Sequence, residues 1–392
     1  MKNNILISLF TALLLTFSSP TPLALATQPQ GVTAKEIRLG GFHDLSGPFS
    51  AFSVPAVKAA QLYFDEVNAQ GGIHGRKIIY LVEDHGYQIP KAVQAVNKLV
   101  NRDRVFAMLL SLGTPHNLAA FKILDKKQIP SVAPLTAARQ MLQDPYEYKF
   151  AFMSSYFDQL RVGVTYLAQH ANVTKACAMY IPSDYGKDVY AGAQLGAQES
   201  GISWVTETTH KADESDFSGA LAKLKSADCD LVALALSVRG TISALSTAKK
   251  MGWHHVQFIG SAASFHTAIA KVPGGVTDGF WVAAGWQDLE ARQDHPVVKK
   301  WIERYAKATG EAQPGSGAVL GRIAAEMMVK GLRYAGPELT LASFRQGMES
   351  LSYQDPISGS VIKTGVGDHQ AMESVHLSQI VEGSWILKEA AL

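Results

Sequence analysis

The segment of this chain best suited to chemistry is Leu112-Gly113-Thr114-Pro115, between an apolar strand-like run, Val105–Leu110, and a helical one, Pro115–Lys127. Thr114 is a natural N-cap, Pro115 a natural first helical residue, and Gly113 lets the backbone come close to a ligand. Free N–H groups and the helix dipole make such a turn an anion site, suited to a carboxylate. A threonine that merely caps its helix fits the same residues equally well.

Similar polar elements recur at other strand ends. Pro134-Leu135-Thr136-Ala137 follows a short strand, and Thr136 could cap or bind as Thr114 does. Ser183-Asp184-Tyr185-Gly186 places an aromatic at a helix start, Ser237 follows the strand 230–236, and Ser261-Ala262 follows the strand 257–260. A lone Tyr or Ser in a loop is usually only surface, but several at equivalent strand ends suggest a binding cleft.

Catalytic signatures are missing: no Gly-x-Ser-x-Gly, Cys-x-x-Cys, His-Glu-x-x-His or Gly-Lys-Ser/Thr phosphate loop occurs. The adjacent His254 and His255 diverge along the chain and read as a solvated helix end rather than a metal site. Gly365-Val366-Gly367-Asp368 precedes a strand rather than a helix and reads as a turn. Nothing positive supports an enzyme, and no metal or cofactor is expected.

The elements that would carry these loops alternate between strand and helix periods, the pattern of α/β architecture with mainly parallel sheets. In the first series, Ile37 to Gly41 alternates as a strand, and Val57, Ala60, Phe64 and Val67 keep helical spacing, with Pro55 suited to the first turn. Gly71-Gly72 ends that helix, and Lys77–Glu83 is the next strand. A second series opens near residue 155, with strands 176–181, 202–208, 230–236, 257–260 and 279–282 and helices at 186–200, 216–226, 239–251 and 264–270. Helices 296–309, 317–334 and 341–350 follow, then short strands near 358–363 and 373–388.

Lys2, the apolar run Ile5–Phe17 and Ala24-Leu25-Ala26 fit a signal peptide over residues 1–26, cleaved after Ala26. The run is too short to span a bilayer, and no cysteine follows the cleavage site to accept a lipid. The remaining chain, roughly 365 residues, is long for one domain and suggests two. With 18% charged residues and a net charge of +2, nothing points to nucleic acid or a polybasic membrane contact. Cys177 and Cys229 would lie near the starts of neighbouring strands. An exported protein can hold a disulfide, but adjacent strands rarely offer its geometry, so two buried free thiols are expected.

Three stretches, Leu45-Ser46-Gly47-Pro48, Asn68-Ala69-Gln70-Gly71-Gly72-Ile73-His74-Gly75-Arg76-Lys77 and Glu83-Asp84, carry a resemblance, supported by Ile129-Pro130 through Pro134, Tyr185-Gly186-Lys187 and Asp216-Phe217-Ser218. In these the chain resembles the periplasmic solute-binding proteins of the branched-chain amino-acid (Leu/Ile/Val) type that serve ABC importers. The resemblance implies a type I periplasmic binding fold: two Rossmann-like lobes, three crossovers and a ligand cleft closed by hinge motion. Lobe one would comprise 35–154 plus 286–355, and lobe two 155–285 plus 356–392. It further implies a periplasmic, monomeric protein whose partners are a small-molecule ligand and the membrane permease subunits. A ligand-sensing receptor module of the same fold is the alternative.

By this resemblance the carboxylate loop falls on Gly113 and Thr114, and the next loop on Leu135, Thr136 and Ala137. Amino-acid binders prefer a hydroxyl at the last position, which Ala137 lacks. Tyr185 matches the second-lobe aromatic. The acid that holds an α-ammonium would fall at Ala262, with no carboxylate at Ser261 or Ala263 either. A buried ammonium without a counter-charge is strongly disfavoured. The ligand is therefore expected to be other than a simple α-amino acid. Phe52, Leu112, Leu135, Ala137, Ala262 and Trp286 would suit a carboxylate with an apolar or aromatic body.

Overall fold

Glu36 to Asp84 folds as β1 (Glu36–His43), α1 (Ser50–Ala69) and β2 (Lys77–Asp84) in a computed structural model that describes residues 29–391. The expected signal segment, residues 1–26, lies outside the described residues. Asn68 closes this first unit: its amide donates to the Ile78 carbonyl at 2.9 Å, and its carbonyl oxygen accepts the Ile78 amide at 2.8 Å. The intervening turn needs Gly72, whose φ is +74° and where a Cβ would lie 2.0 Å from the Arg76 carbonyl oxygen.

The chain continues through α2 (Ile89–Asn97), β3 (Ala107–Leu109), α3 (Thr114–Lys127), β4 (Ser131–Val132) and β5 (Lys149–Phe150). These strands make a five-stranded, all-parallel sheet in the order β2-β1-β3-β4-β5. A second unit follows: α4 (Tyr156–His170), β6 (Lys175–Tyr180), α5 (Asp184–Glu199), β7 (Ser203–Thr209), α6 (Ser218–Ser226), β8 (Leu231–Ala235), α7 (Val238–Lys250), β9 (Gln257–Gly260), α8 (Thr267–Ala270) and β10 (Trp281–Ala284). Three helices, α9 (Pro296–Thr309), α10 (Ser316–Tyr334) and α11 (Leu341–Glu349), lead to β11 (Ser352–Gln354), β12 (Val361–Lys363), β13 (Val375–Val381) and β14 (Ser384–Ala391). The second sheet has seven strands in the order β14-β13-β10-β9-β8-β6-β7, parallel except where β13 and β14 join as an antiparallel hairpin. Strands such as β8 are buried along their whole length, as parallel strands covered on both faces must be. Among the described residues no helix is long and apolar enough to cross a membrane.

The sequence signals set most elements to within a few residues, with four informative differences. The helix α4 was not expected, although Ser155 caps it by accepting the Asp158 amide at 3.0 Å, and Ser-x-x-Asp is a helix-start signal. Of the expected helix 264–270, only Thr267–Ala270 is α-helical. Pro55 lies inside α1 rather than in its first turn, because the helix begins at Ser50.

The fourth difference is covalent. Cys177 and Cys229 form a disulfide, with Cα atoms 6.0 Å apart, which overturns the expectation of two free thiols. Cys229 lies in the turn ahead of β8, after Asp228 at φ +56°. Freed from the pleat, its side chain can lean onto Cys177 in β6, a freedom two paired strand positions lack.

Three strands of chain pass side by side between the sheets. The first, near Ala151, hydrogen bonds to the third on both sides: Ala151 N to His369 O at 3.0 Å and Ala371 N to Ala151 O at 2.9 Å. The second, at Gly285, accepts the Ser360 hydroxyl at 3.1 Å. Residues 356–371, expected with lobe two, instead pair with the first unit: β12 pairs with β11, and Thr364 N donates to Leu351 O at 3.0 Å.

Candidate functional site

The loops after β1, β3 and β4 meet those after β6 and β9 across a cleft, at the carboxyl ends of both sheets. Their shared space is a cavity of about 40 Å³, small beside the 300–1,000 Å³ typical of ligand pockets. The two sides touch across it: His266 Nε2 lies 3.2 Å from Ala51 O, and the Tyr185 ring stands edge-on to Phe49 at 6.2 Å between centroids.

The polar floor comes from lobe one. Gly113, at φ +99°, turns the chain into α3, whose first internal hydrogen bond runs from Asn117 N to Gly113 O at 3.0 Å. The amides ahead of it, starting at Thr114, have no intrahelical partner. Thr114 is the first residue of α3 rather than its cap. Its hydroxyl is therefore free to meet that of Thr136, 2.7 Å away. Both threonines are buried and line the cavity.

Two neighbouring turns are set by side-chain hydrogen bonds. Asp44 accepts the amides of Gly47 and Phe49 at 2.6 and 2.8 Å, fixing the Phe49 ring in the cavity wall. Asp84 accepts the Leu45 amide at 2.9 Å and the Ser46 hydroxyl at 2.6 Å. Hence the two motifs Leu45–Pro48 and Glu83-Asp84 are halves of one turn. His85 accepts the Tyr87 amide at Nδ1 (3.0 Å), so its Nε2 carries the proton and donates to Leu112 O at 3.2 Å. One neutral imidazole thereby positions two cavity residues, Tyr87 and Leu112. Burial holds His85 down to about 3, consistent with that form.

Lobe two brings Tyr185, Ala262 and Ala263. Tyr185 is 3% exposed, at the start of α5, and its ring packs edge-on to Tyr156 with centroids 5.0 Å apart. Ala262 N is not free for a ligand, because it donates to Gln159 Oε1 at 2.8 Å. Burial pushes the Tyr156 hydroxyl up to about 12, a hydrogen bond with Thr136 working the other way. It is therefore a neutral hydroxyl at ordinary pH.

Of the residues singled out by sequence, Phe52, Leu112, Gly113, Thr114, Leu135, Thr136, Tyr185, Ala262 and Trp286 all line the cavity. Ala137 and Ser237 do not. Ala137 instead receives the Tyr156 amide on its carbonyl at 2.8 Å, at the first crossover. Ser237 caps α7, accepting the Gly240 amide at 3.2 Å. Sequence reasoning missed Phe49, Tyr87, Met153, Tyr156, Ala263 and Leu320. The Ser155–Asp158 helix start would have pointed to Tyr156; Leu320 has no local signal, since it arrives through packing of α10 on α1. Gly321 permits that packing: a Cβ there would lie 2.0 Å from the Ala56 carbonyl oxygen.

The cavity lining carries no charged side chain, and among the described residues no cluster of three or more His, Cys, Asp or Glu could hold a metal. Such a site can bind and orient an apolar body with one polar end.

A family model described as "Periplasmic binding protein" matches residues 36–384. The chain belongs to the periplasmic binding protein family. Family membership makes it an extracytoplasmic solute-binding protein, with the two-lobed type I fold and a role in ABC transport. It is 21% identical over 312 residues to Leu/Ile/Val-binding protein homolog 7 of Brucella abortus (strain 2308), covering 76% of this chain and 77% of the relative. Among solved structures it resembles a fatty acid ABC transporter substrate-binding protein from Thermomonospora curvata, with a TM-score of 0.84, 26% identity, and coverage of 92% and 93% of the two chains. A solute-binding protein of an R. palustris ABC transporter, in complex with benzoate, shares the fold with a TM-score of 0.80 at 18% identity, covering 91% and 96%.

Proposed function

We propose that this periplasmic binding protein captures a monocarboxylate with an apolar, aliphatic or aromatic body and delivers it to a membrane permease by hinge closure. The observation that carries this reading is the uncharged cavity in which free amides of α3 and the hydroxyls of Thr114 and Thr136 face a wall of Phe49, Phe52, Met153 and Trp286. Amides and hydroxyls can satisfy a carboxylate without a counter-cation. An α-ammonium would need an acid, and the lining offers none; Ala262 stands where one is expected. The fatty acid and benzoate named for two structural neighbours are chemically of the kind such a cavity fits.

Consistent with the reading are lobes formed by 35–154 plus 286–368 and by 155–285 with the C-terminal hairpin, the third crossover lying at about 369–371 beside Ala151. The site residues are Phe52, Leu112, Gly113, Thr114, Leu135, Thr136, Tyr185 and Ala262. We further propose removal of residues 1–26, a soluble monomer in the periplasm, contact with the permease subunits in the closed form, and no catalytic activity.

The test is a thermal-shift and calorimetric screen of the mature protein against benzoate, octanoate, leucine, isoleucine and valine. A native-state ligand raises the melting temperature by mass action, and benzoate or octanoate is expected to do so. Micromolar binding of the branched-chain amino acids, with no response to either acid, overturns the reading.

A further inference from the structure

The start of α3 holds an ionisable group that hydroxyl and amide contacts leave unused. His116, in the first turn of α3, is 1% exposed, and its ring nitrogens make no well-formed hydrogen bond, the Tyr87 backbone being the one polar neighbour that acts on the ring. Buried polar atoms without partners are uncommon and costly, and where they persist they point to a role. The ring lies directly behind the cavity wall: a Cβ on Gly113 would sit 2.3 Å from His116 Nδ1. Gly113 itself lines the cavity. A carboxylate resting on the first amides of α3 is therefore separated from Nδ1 by little more than one backbone unit without a side chain.

We propose that His116 takes up a proton when the cavity receives a carboxylate, so that capture of an anionic solute is coupled to protonation of this ring. The inference rests on the carboxylate reading above. The step is a proton transfer: an acid in solution, hydronium or buffer, loses a proton and leaves its conjugate base behind, an N–H bond forms on the ring, and the buried carboxylate gains a cation behind it.

With no anion beside it the ring stays neutral for two reasons. Burial holds His116 down to about 4, and the positive end of the α3 dipole disfavours a second positive charge there. The ring is stacked on His85 at 4.4 Å and beside Tyr87 at 4.5 Å between centroids. His85 is itself neutral, through its bonds to Tyr87 and Leu112. The charged groups on the elements around α3 are otherwise engaged or exposed. Asp84 holds the Leu45–Ser46 turn, Asp188 of α5 pairs with Arg139 at 2.7 Å, and Lys91 of α2 faces solvent. None compensates the ring. An opposite charge within about 4–6 Å raises a cationic group's pKa by roughly 1 to 3, which brings His116 from about 4 toward neutrality only in the complex. Uptake of one proton makes affinity rise as pH falls, by up to about tenfold per pH unit between the free and bound values. A neutral isostere of the ligand supplies no charge and gains nothing.

The experiment is calorimetric titration of the mature protein with benzoate, octanoate and benzamide at pH 6.5, in phosphate and in Tris. Protons taken up follow from the dependence of the binding heat on buffer ionisation. Expected is uptake of a substantial fraction of one proton with the acids, none with benzamide, and none with the acids in His116→Phe. If that variant fails to fold, His116→Asn serves, and the histidine ring signals of the ¹³C-labelled wild-type protein report the protonation directly. Acid binding without proton uptake, or uptake that persists in the variant, overturns the coupling alone. Failure of both acids to bind overturns the carboxylate reading together with it.

Discussion

His266 Nε2 lies 3.2 Å from the carbonyl oxygen of Ala51, and Pro55 explains why that oxygen is free. Within α1 the Ala51 carbonyl would accept the amide of residue 55, but proline has none. His266 Nδ1 accepts the Ala268 amide at 3.0 Å, so Nε2 bears the proton and donates across the cleft. The same ring stands edge-on to Phe52 at 4.8 Å. A helix defect in one lobe is thus completed by a side chain of the other only when the lobes are closed. Replacing His266 by phenylalanine keeps the aromatic contact and removes the hydrogen bond across the cleft, worth about 0.5–1.5 kcal/mol, together with the local cap on Ala268 N. Ligand affinity should fall roughly three- to tenfold, mainly through faster dissociation, which stopped-flow release of bound benzoate measures. An unchanged dissociation rate would deny the contact a part in closure.

The 2.7 Å bond between the Thr114 and Thr136 hydroxyls makes them a unit, since each orients the other's remaining donor or acceptor. Removing a hydrogen bond to a charged group costs about 1.5–3 kcal/mol. Thr114→Ala should therefore weaken benzoate or octanoate binding by at least about tenfold. The double variant with Thr136→Ala should lose less than the sum of the two single losses, because coupled partners are non-additive. Calorimetry on the two single variants and the double variant decides the point, and unchanged affinity in Thr114→Ala removes the anion-site assignment.

Sequence made the scaffold legible where its causes are local. Asn68 and Gly72 act within ten residues of where they sit, and Gly113 before Thr114-Pro115 announces a turn into a helix with free amides. The lobe-one floor of the cavity could be named for that reason. The rest depends on partners distant in the chain. Tyr87 takes a positive φ of 59°, which no turn signal betrays, and is held there by His85. Leu320 arrives with α10, and His266 finds Ala51 across 215 positions. Ser237 looked equivalent to Thr114, yet it is a true cap with its oxygen spent on Gly240. A strand-end hydroxyl can cap or bind, and only the helix register distinguishes the two.

The Cys177–Cys229 bond closes a loop spanning 52 positions that holds most of β6 and all of α5, β7 and α6. Restricting the unfolded chain in this way stabilises by about 2–4 kcal/mol. The Cys177→Ala/Cys229→Ala double variant should melt roughly 5–15 °C lower, with ligand affinity little changed because neither sulfur lines the cavity. Mass spectrometry after alkylation of denatured, unreduced wild-type protein checks the premise: modification of both cysteines would show that the bond does not form.

Asp288 gives the molecule a pH-dependent weakness beside Trp286. The carboxyl accepts the Glu290 amide at 2.9 Å, and burial pushes it up to about 6, with the nearby Glu290 charge adding to the effect. Its folded value thus lies above the unfolded value of about 4. The native state binds more protons than the unfolded chain between those values, so its contribution to stability is full below about pH 4 and is lost as pH rises through about 6. Asp288→Asn keeps an acceptor for Glu290 N and carries no charge to desolvate. The group is only partly buried, so the expected gain is about 1–2 kcal/mol at pH 7.5. Melting curves of wild type and variant should diverge between pH 4 and 7 and coincide at the acid end. A gain independent of pH would assign the effect to packing, and the carboxyl's ionisation would have no part in it.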